Sequence, residues 1–137
     1  HAPDAQLDGI LIESMINNAI LELMVSLRRD PQFGLVLTLA SGGVMTEIYK
    51  DASTVLVPAD DISLMAALKS LHIAPLFNGF RGGPAASRTA VLDQIKCLVS
   101  LMEGTPDIIE IEINPMMVGT DYACCADALI SISGTAA

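Results

Sequence analysis

Cysteine and histidine are both scarce in this chain of 137 residues. It has three cysteines and two histidines, and no Cys/His cluster shows the spacing of a structural zinc site. Cys124 and Cys125 are neighbours, so on a strand they point to opposite faces and make a poor disulfide pair. The cysteines are therefore predicted to be reduced core thiols of a cytoplasmic protein. No G-x-S-x-G turn accompanies His72, which argues against a Ser-His-Asp hydrolase.

Basic residues and long apolar runs are also scarce. The chain has 7 Lys and Arg against 16 Asp and Glu, a formal net charge of −9. Such a surface repels phosphate backbones and anionic headgroups, so neither nucleic acid nor a membrane is expected as a partner. No apolar run approaches the roughly 18 residues that a membrane-spanning helix needs. Apolar residues instead occur in short runs and make up 52% of the chain, enough for the core of one domain.

The first half of the sequence predicts mainly extended structure. Strands are expected over residues 8–14, 21–29 and 34–40, and the turn signal R-D-P-Q makes the last two a hairpin. Shorter extended segments are expected at 44–49 and 54–57. A helix capped by Asp60 should then run from 61 to about 71. The side chains expected to face the core from this helix are Ile62, Met65, Ala66 and Leu68.

The second half predicts a long helix followed by a hairpin. Ser87 is a suitable N-cap, and apolar residues then recur with a period of 3.6 until Gly104. That apolar stripe comprises Val91, Leu92, Ile95, Leu98, Val99 and Met102. In segment 108–114 the isoleucines at 109, 111 and 113 should share one face, and Pro115 should end or edge the strand. A turn at 118–121 and a closing strand over 122–132 complete an α+β domain.

The polar face of that last hairpin offers oxygen ligands for a cation. With the turn centred near residues 120 and 121, Asn114 lies opposite Asp127, and facing residues have Cβ atoms about 4.5–5.5 Å apart. Glu112, Asn114 and Asp127 would then supply two carboxylates and an amide oxygen. Mg²⁺ commonly takes one or two carboxylates beside phosphates and waters, and the neutral amide preserves attraction for phosphate. The same spacing is also typical of a solvated polar face.

Two glycine-containing segments are candidate phosphate sites. In Ser41, Gly42 and Gly43 the glycines allow backbone N–H groups to approach an anion, although paired glycines are also the usual composition of a turn. Arg81, within a second glycine-rich loop, is suited to clamp a phosphate or carboxylate. In so acidic a chain Arg81 is equally well explained by an ion pair with a neighbouring carboxylate.

Two other charged positions are given simpler interpretations. Arg28, Arg29 and Asp30 are interpreted as a solvated turn, and His72 as a packing residue at a helix end.

Several short motifs occur in a recognisable order along nearly the whole chain. They are D-G-I-L-I-E-S-M at 8–15, R-D-P-Q-F-G at 29–34, S-G-G-V-M-T-E at 41–47, K-D at 50–51, G-F-R-G at 79–82, E-I-E-I-N-P at 110–115 and A-D-A at 126–128. This order resembles the ATP-grasp domain of NDP-forming acyl-CoA synthetases, such as the β part of ADP-forming acetate–CoA ligase. It is also similar to the β subunit of succinyl-CoA synthetase. The motifs R-D-P-Q-F-G and E-I-N-P are specific in combination.

The resemblance implies a nucleotide site with Mg²⁺ and ATP or ADP as cofactors. In the family, Glu-x-Asn on the strand and the later Asp hold the metal. The resemblance implies the same role for Glu112, Asn114 and Asp127. Glu22 and Glu47 match acidic positions of the family near the nucleotide and phosphate. The expected nucleotide and phosphate contacts are therefore Glu22, Ser41, Gly42, Gly43, Glu47 and Arg81.

The family reaction converts acyl-CoA, ADP and phosphate to a carboxylic acid, CoA and ATP, through an acyl phosphate and a phosphorylated histidine on a separate domain. Neither His1 nor His72 matches that histidine, so no catalytic residue is expected in this chain. The implied fold is the second, C-terminal subdomain of an ATP-grasp fold, a mostly antiparallel sheet with helices packed on it. Residues 1–137 are expected to be an inactive fragment of a longer multidomain enzyme, whose other domains bind CoA and carry the phosphohistidine. Exposed apolar surface also favours homo-oligomers of the isolated fragment.

A non-catalytic role is the alternative. Related multidomain protein acetyltransferases carry a synthetase-like region, sometimes without synthetase activity, so this segment would be a regulatory module. Many relatives have Arg two residues after the metal-binding Asp, where this chain has Leu129, close to Glu112 in the predicted hairpin. A flanking acetyltransferase domain and a lost phosphohistidine would favour the alternative.

Overall fold

One antiparallel sheet organises residues 9–43 and 51–134, the part of the chain that this computed structural model describes. Its strands are β1 (Leu21–Asp30), β2 (Gly34–Ser41), β3 (Ala52–Val57), β4 (Ile108–Val118), β5 (Ala123–Cys125) and β6 (Ala128–Ile132). They lie in the order β3-β2-β1-β4-β5, and β6 also pairs with β4. Helix α1 (Asp61–Ser70), a 3₁₀ helix (Ala74–Asn78) and helix α2 (Arg88–Gly104) pack on the sheet. This confirms the expected α+β fold.

The core lies between the helices and the inward side of the sheet. Alternate residues of β1, namely Leu23, Val25 and Leu27, are fully buried there. Helix α2 begins as predicted, with Ser87 Oγ accepting from the N–H of Ala90 at 3.2 Å. Its predicted apolar stripe is confirmed, because four members are buried and the other two are half-buried. The buried members are Val91, Leu92, Ile95 and Met102.

Strands β1 and β2 form the predicted hairpin. Asp30 and Gly34 are the last register pair before the turn. Asp30 Oδ1 accepts from the N–H groups of Gln32 at 2.9 Å and Phe33 at 3.1 Å. Gly34 has a φ of +77°, a conformation that glycine adopts without strain. The turn chemistry of the sequence therefore sets the register of this hairpin.

Arg29 does not lie in a solvated turn, and that interpretation is wrong. Its guanidinium reaches the C-terminal end of α2 instead. Nε donates to the carbonyl of Ile108 at 2.9 Å, and Nη2 donates to the carbonyls of Met102 and Thr105. The carbonyls of Met102 and Thr105 also accept from the backbone N–H groups of Thr105 at 3.4 Å and Ile108 at 3.1 Å. Arg29 therefore adds charged donors that tie the end of α2 to β1.

Helix α1 turns a different face to the core from the predicted one. Asp60 caps it as expected, accepting from the N–H of Ser63 at 2.8 Å. Ile62 is 79% exposed and Ala66 is exposed, so the prediction for these two is wrong. The buried side chains are Leu64, Ala67 and Leu68, with Met65 half-buried. Apolar residues occupy most positions of this helix, so their period does not select one face.

Strand β4 continues through Pro115, where the sequence predicts a stop. Its pairing with β1 shifts between the pairs Leu23–Met116 and Val25–Ile113, so two residues of β4 face one of β1. Pro115 lies in this bulge, where a missing N–H interrupts no regular ladder to β1. The bulge also keeps both flanking residues of β4 directed into the core.

Two further irregularities shape the end of the sheet. The β4–β6 pairing shifts between Ile108 and Glu110, which leaves Ile108 buried and Ile109 41% exposed. The prediction that Ile109 shares a face with Ile111 and Ile113, which are buried, is therefore wrong. The expected closing strand is divided into β5 and β6, with residues 126–127 between them.

The first expected strand is not formed. Residues 9–14 have no strand structure, and Ile10, Leu11 and Ile12 are 85%, 81% and 88% exposed. Their apolar pattern predicts burial that the described residues do not provide, because no strand of this sheet pairs with them. Residue 8 and the extended segment expected at 44–49 lie outside the described residues.

The cysteines are free thiols, but they are not all in the core. Cys97 and Cys124 are exposed and Cys125 is half-buried, so the interpretation as core residues is wrong. Cys97 lies on the outer side of α2, between residues of the buried stripe. Within the two described ranges, no helix is long and apolar enough to cross a membrane.

Candidate functional site

The side of the sheet that faces away from the helices carries polar side chains, and we call it the open face. Ser26 and Glu110 show that β1 and β4 contribute to the same surface, since Ser26 Oγ donates to Glu110 Oε1 at 3.2 Å. Side chains alternate along a strand, so polar residues between buried ones share this face. The oxygen-bearing members from the two strands are Glu22, Ser26, Glu110, Glu112 and Asn114.

Asn114 and Asp127 lie opposite each other, as the predicted turn position requires. The N–H of Asn114 donates to the carbonyl of Asp127 at 3.2 Å. Facing positions of an antiparallel pair point their side chains to the same side, so both belong to the open face. Glu112 lies two residues along β4 on that face and pairs with Leu129, which is 67% exposed. The structure therefore brings the three predicted metal ligands to one surface, and their metal role stays a prediction.

The chemistry of this group suits a metal that arrives with a nucleotide. In the part of the chain that the structure describes, no three His, Cys, Asp or Glu side chains are grouped to hold a metal ion. Glu112 and Asp127 are two carboxylates, so a cation here needs the Asn114 amide and further oxygens. A phosphate group and water are the ligands that Mg²⁺ usually adds to one or two carboxylates. The donor set therefore fits Mg²⁺ bound to phosphate better than a self-sufficient protein cage.

The loop Ser41-Gly42-Gly43 uses its N–H groups within the protein. Ser41 N–H donates to the Asp51 carbonyl at 3.1 Å and Gly42 N–H to the Glu22 carbonyl at 2.8 Å. Gly43 N–H donates to Asn114 Oδ1 at 3.1 Å. The expected mechanism, in which these N–H groups cradle a phosphate, is therefore not the arrangement seen here.

Close packing against β1 explains the two glycines. A Cβ on Gly42 would lie 2.6 Å from the backbone carbon of Leu23. A Cβ on Gly43 would lie 2.1 Å from Glu22 Oε2. A side chain at 42 would collide with the backbone of Leu23, so this position requires glycine. At 43 the φ of +73° favours glycine, whereas the Glu22 carboxylate is the end of a flexible side chain that can move. The carboxylate of Glu22 thus lies beside Gly43, which itself donates to the Asn114 amide.

Asp51 forms a buried polar cluster that the sequence reasoning missed. The side chain is buried beneath the loop and accepts from Ser41 Oγ at 2.7 Å and from the N–H of His72 at 2.9 Å. The His72 imidazole is exposed, with Nδ1 3.5 Å from Asp51 Oδ1, so the interpretation of His72 as a packing residue is wrong. A groove of about 610 Å³ opens here, lined by Glu22, Asp51, His72 and apolar residues. The available sequence signal for this cluster was the Asp of the K-D motif. Once buried, its carboxylate requires hydrogen-bond donors such as those of Ser41 and His72.

Stability is expected to fall at low pH because of Asp51. Burial alone would raise the pKa of Asp51, but hydrogen bonds from His72 N–H and Ser41 outweigh it and hold the pKa below 3.8. The contribution of this carboxylate is therefore complete above its unfolded pKa of about 3.9 and is lost as pH falls through the lower folded value. The free energy of unfolding, measured with urea from about pH 6 to about pH 3, should decline more steeply in the wild type than in Asp51→Asn. If the free energy of unfolding declined equally in both proteins, Asp51 would not be the origin of the pH dependence.

Within the described ranges, no hydrogen bond or ion pair joins Arg81 to the open-face group. Arg81 lies in its loop with a φ of +51°, and its guanidinium carbon is 5.3 Å from the centre of the Phe80 ring. This is a cation–π distance, so among the described residues the neighbour that accompanies Arg81 is an aromatic ring. Glu47 lies outside the described residues.

Comparison with known proteins identifies the family. The sequence profile of the ATP-grasp domain matches residues 1–132. The chain belongs to the ATP-grasp family. This ATP-grasp chain is 37% identical over 112 residues to a trans-feruloyl-CoA synthase from an unknown prokaryotic organism, covering 82% of the chain and 16% of the synthase. It is 33% identical over 128 residues to the beta subunit of ADP-forming acetate–CoA ligase I of Pyrococcus furiosus, covering 93% of the chain and 55% of the subunit.

Solved structures agree with the ATP-grasp assignment. The acetyl-coenzyme A synthetase 1 of Ca. Korarchaeum cryptofilum, in complex with coenzyme A and Ca-AMPCP, superposes with a TM-score of 0.82 at 28% identity, covering 95% of this chain and 56% of that one. A second complex of the same synthetase, with coenzyme A and Mg-AMPPCP, gives 0.76 at 28% identity, covering 82% and 53%. The ATP-grasp chain thus spans little more than half of these structures and of the Pyrococcus subunit, and less than a fifth of the synthase.

Proposed function

We propose that this chain is part of an NDP-forming acid–CoA ligase and supplies side chains that hold the Mg²⁺ of the nucleotide. The reaction of the whole protein would be acyl-CoA with ADP and phosphate to carboxylic acid, CoA and ATP. Its ATP-grasp relatives are acid–CoA ligases, and one of them binds coenzyme A together with Mg-AMPPCP. The CoA site and the phosphohistidine would belong to other domains of the same protein.

One observation carries the proposal: Asn114 faces Asp127 across the hairpin, with Glu112 on the same open face. Two carboxylates would attract the cation, and the amide oxygen would add a ligand without adding charge. Bound there, Mg²⁺ would neutralise phosphate oxygens of the nucleotide. Glu22 adjoins this group through Gly43, which supports its place near the phosphates.

A regulatory role is the second candidate because of Leu129. This apolar side chain pairs with Glu112 and is 67% exposed, so this paired position supplies no cation to the carboxylate. A module that has lost turnover would tolerate such a residue. ATP formation from acyl-CoA, ADP and phosphate by the full-length protein would favour the ligase over the regulatory module.

The metal assignment is tested by calorimetry of ADP binding to the full-length protein with and without Mg²⁺. We expect Asn114→Leu and Asp127→Asn each to weaken Mg²⁺-dependent binding about tenfold or more, because each removes an oxygen ligand. Binding of ADP without metal should change little. Asp121→Asn is the matched control, since Asp121 is an exposed carboxylate in the turn of the same hairpin. Unchanged Mg²⁺-dependent affinity in both test variants would remove the assigned role.

A further inference from the structure

The Gly-Gly loop contacts the side chain of Asn114 through the backbone of Gly43. Gly43 N–H donates to Asn114 Oδ1 at 3.1 Å. Strand β1 lies between β2 and β4, so the chain leaving β2 has to pass over β1 to make this contact. The contact therefore joins residues 71 positions apart along the sequence and links the loop directly to a proposed metal ligand.

This hydrogen bond determines which way the Asn114 amide is turned. A backbone N–H can only donate, and the oxygen is the only acceptor of a carboxamide. The Asn114 oxygen is therefore directed to Gly43, and its second lone pair remains suited to a cation. A carboxamide without such a donor can exchange its oxygen and nitrogen ends by a half-turn, which would present NH₂ groups to the metal.

Gly43 is itself held in place from β1. The preceding residue, Gly42, donates its N–H to the Glu22 carbonyl at 2.8 Å and packs against the backbone of Leu23. Gly43 has a φ of +73°, and the Glu22 carboxylate fills the space that a side chain would need. The donor atom thus has a defined position relative to β1, and through the sheet relative to β4.

We propose that the backbone N–H of Gly43 is a positioning group that fixes the Asn114 amide with its oxygen toward the metal. The proposal rests on the proposed function for the metal role of Asn114, while the hydrogen bond can be tested without metal. It gives the S-G-G motif a role different from a phosphate cradle. Glycine is favoured at 43 because a φ of +73° is strained for other residues.

The first test measures hydrogen exchange at the Gly43 amide of the full-length protein, without metal and at single-residue resolution. In Asn114→Asp a carboxylate oxygen still accepts the bond, so exchange should stay slow. In Asn114→Leu no acceptor remains, and exchange at Gly43 should become about tenfold faster or more. Exchange that does not depend on the residue at 114 would overturn the positioning role, even where Asn114→Leu weakens metal binding.

The second test measures Mn²⁺ affinity by electron paramagnetic resonance in the presence of ADP. Gly42→Ala should weaken Mn²⁺ binding about tenfold, because the new Cβ would lie 2.6 Å from the Leu23 backbone and would push the loop, with the Gly43 donor, away from Asn114. Gly104→Ala is the matched control, since Gly104, like Gly42, has no positive φ, and an added Cβ there has no atom within 4 Å. Equal affinities of the two glycine variants would overturn the positioning role. Unchanged affinity in Asn114→Leu would instead overturn the metal role itself and the positioning role with it, whatever the exchange rates show.

Discussion

Replacing Asp51 with alanine is expected to lower the free energy of unfolding by about 3–4 kcal/mol. The carboxylate is buried and accepts from Ser41 Oγ at 2.7 Å and from the N–H of His72 at 2.9 Å. Alanine removes the acceptor of these two hydrogen bonds, and a hydrogen bond to a charged group contributes about 1.5–3 kcal/mol. Urea unfolding of the chain, read as a change in midpoint at constant slope, measures the loss.

Two variants separate this effect from the loss of a negative charge. Asp51→Asn keeps the shape and one acceptor oxygen, so about 1–2 kcal/mol should be lost. Asp61→Ala removes an exposed carboxylate that pairs with Lys96 at 2.8 Å, and a surface pair of this kind is worth about 0–1 kcal/mol. An effect of Asp51→Ala as small as that of Asp61→Ala would show that the cluster is not a stabilising feature.

Replacing Arg29 with methionine is expected to cost about 2–3 kcal/mol of stability. Methionine keeps the apolar stem but removes the charged donors to the carbonyls of Met102, Thr105 and Ile108, the first two of which keep a backbone N–H partner. These acceptors tie the end of α2 to β1, and a positive charge at a helix C-terminus is also favourable there. The unfolding midpoint in urea measures the loss, and hydrogen exchange should show the last turn of α2 opening more often.

Arg28→Met is the matched control for Arg29. Arg28 is the neighbouring arginine, its side chain is 57% exposed, and its nearest carboxylate is Asp30 at 3.6 Å. Its replacement should change stability by less than about 0.5 kcal/mol. Arg29→Lys should recover only part of the loss, since a single ammonium cannot match the fork of a guanidinium. If Arg28→Met and Arg29→Met lowered the free energy of unfolding equally, the role of Arg29 at the end of α2 would be contradicted.

The sequence predicts well the features that local chemistry determines. Asp60 and Ser87 are N-caps by residue type, and the R-D-P-Q turn sets the β1–β2 register. The facing of Asn114 and Asp127 follows from the position of one turn, which is why this part of the candidate site could be placed from sequence alone. Their metal role rests on the oxygen ligands that the hairpin spacing brings together and on the family resemblance, and it stays a prediction.

The features that sequence reasoning misses depend on contacts between distant segments. The contact of Gly43 with Asn114 and the reach of Arg29 to the end of α2 join residues more than 70 positions apart. Periodicity carries no signal for such pairs. It also fails for Ile62, because α1 is apolar on most sides and the core selects the face that carries Leu68. The bulge at Pro115 is likewise set by the neighbouring strand.

The motif R-D-P-Q-F-G has an architectural function in this chain. Its arginine secures a helix end, its aspartate shapes a turn and its glycine takes a left-handed backbone angle. These structural roles do not depend on enzymatic turnover. A relative that has lost activity would therefore keep the motif as an active one does. A genome survey keyed on it would gather both kinds together, whereas the residues at 112, 114 and 127 are the positions at which the two should diverge.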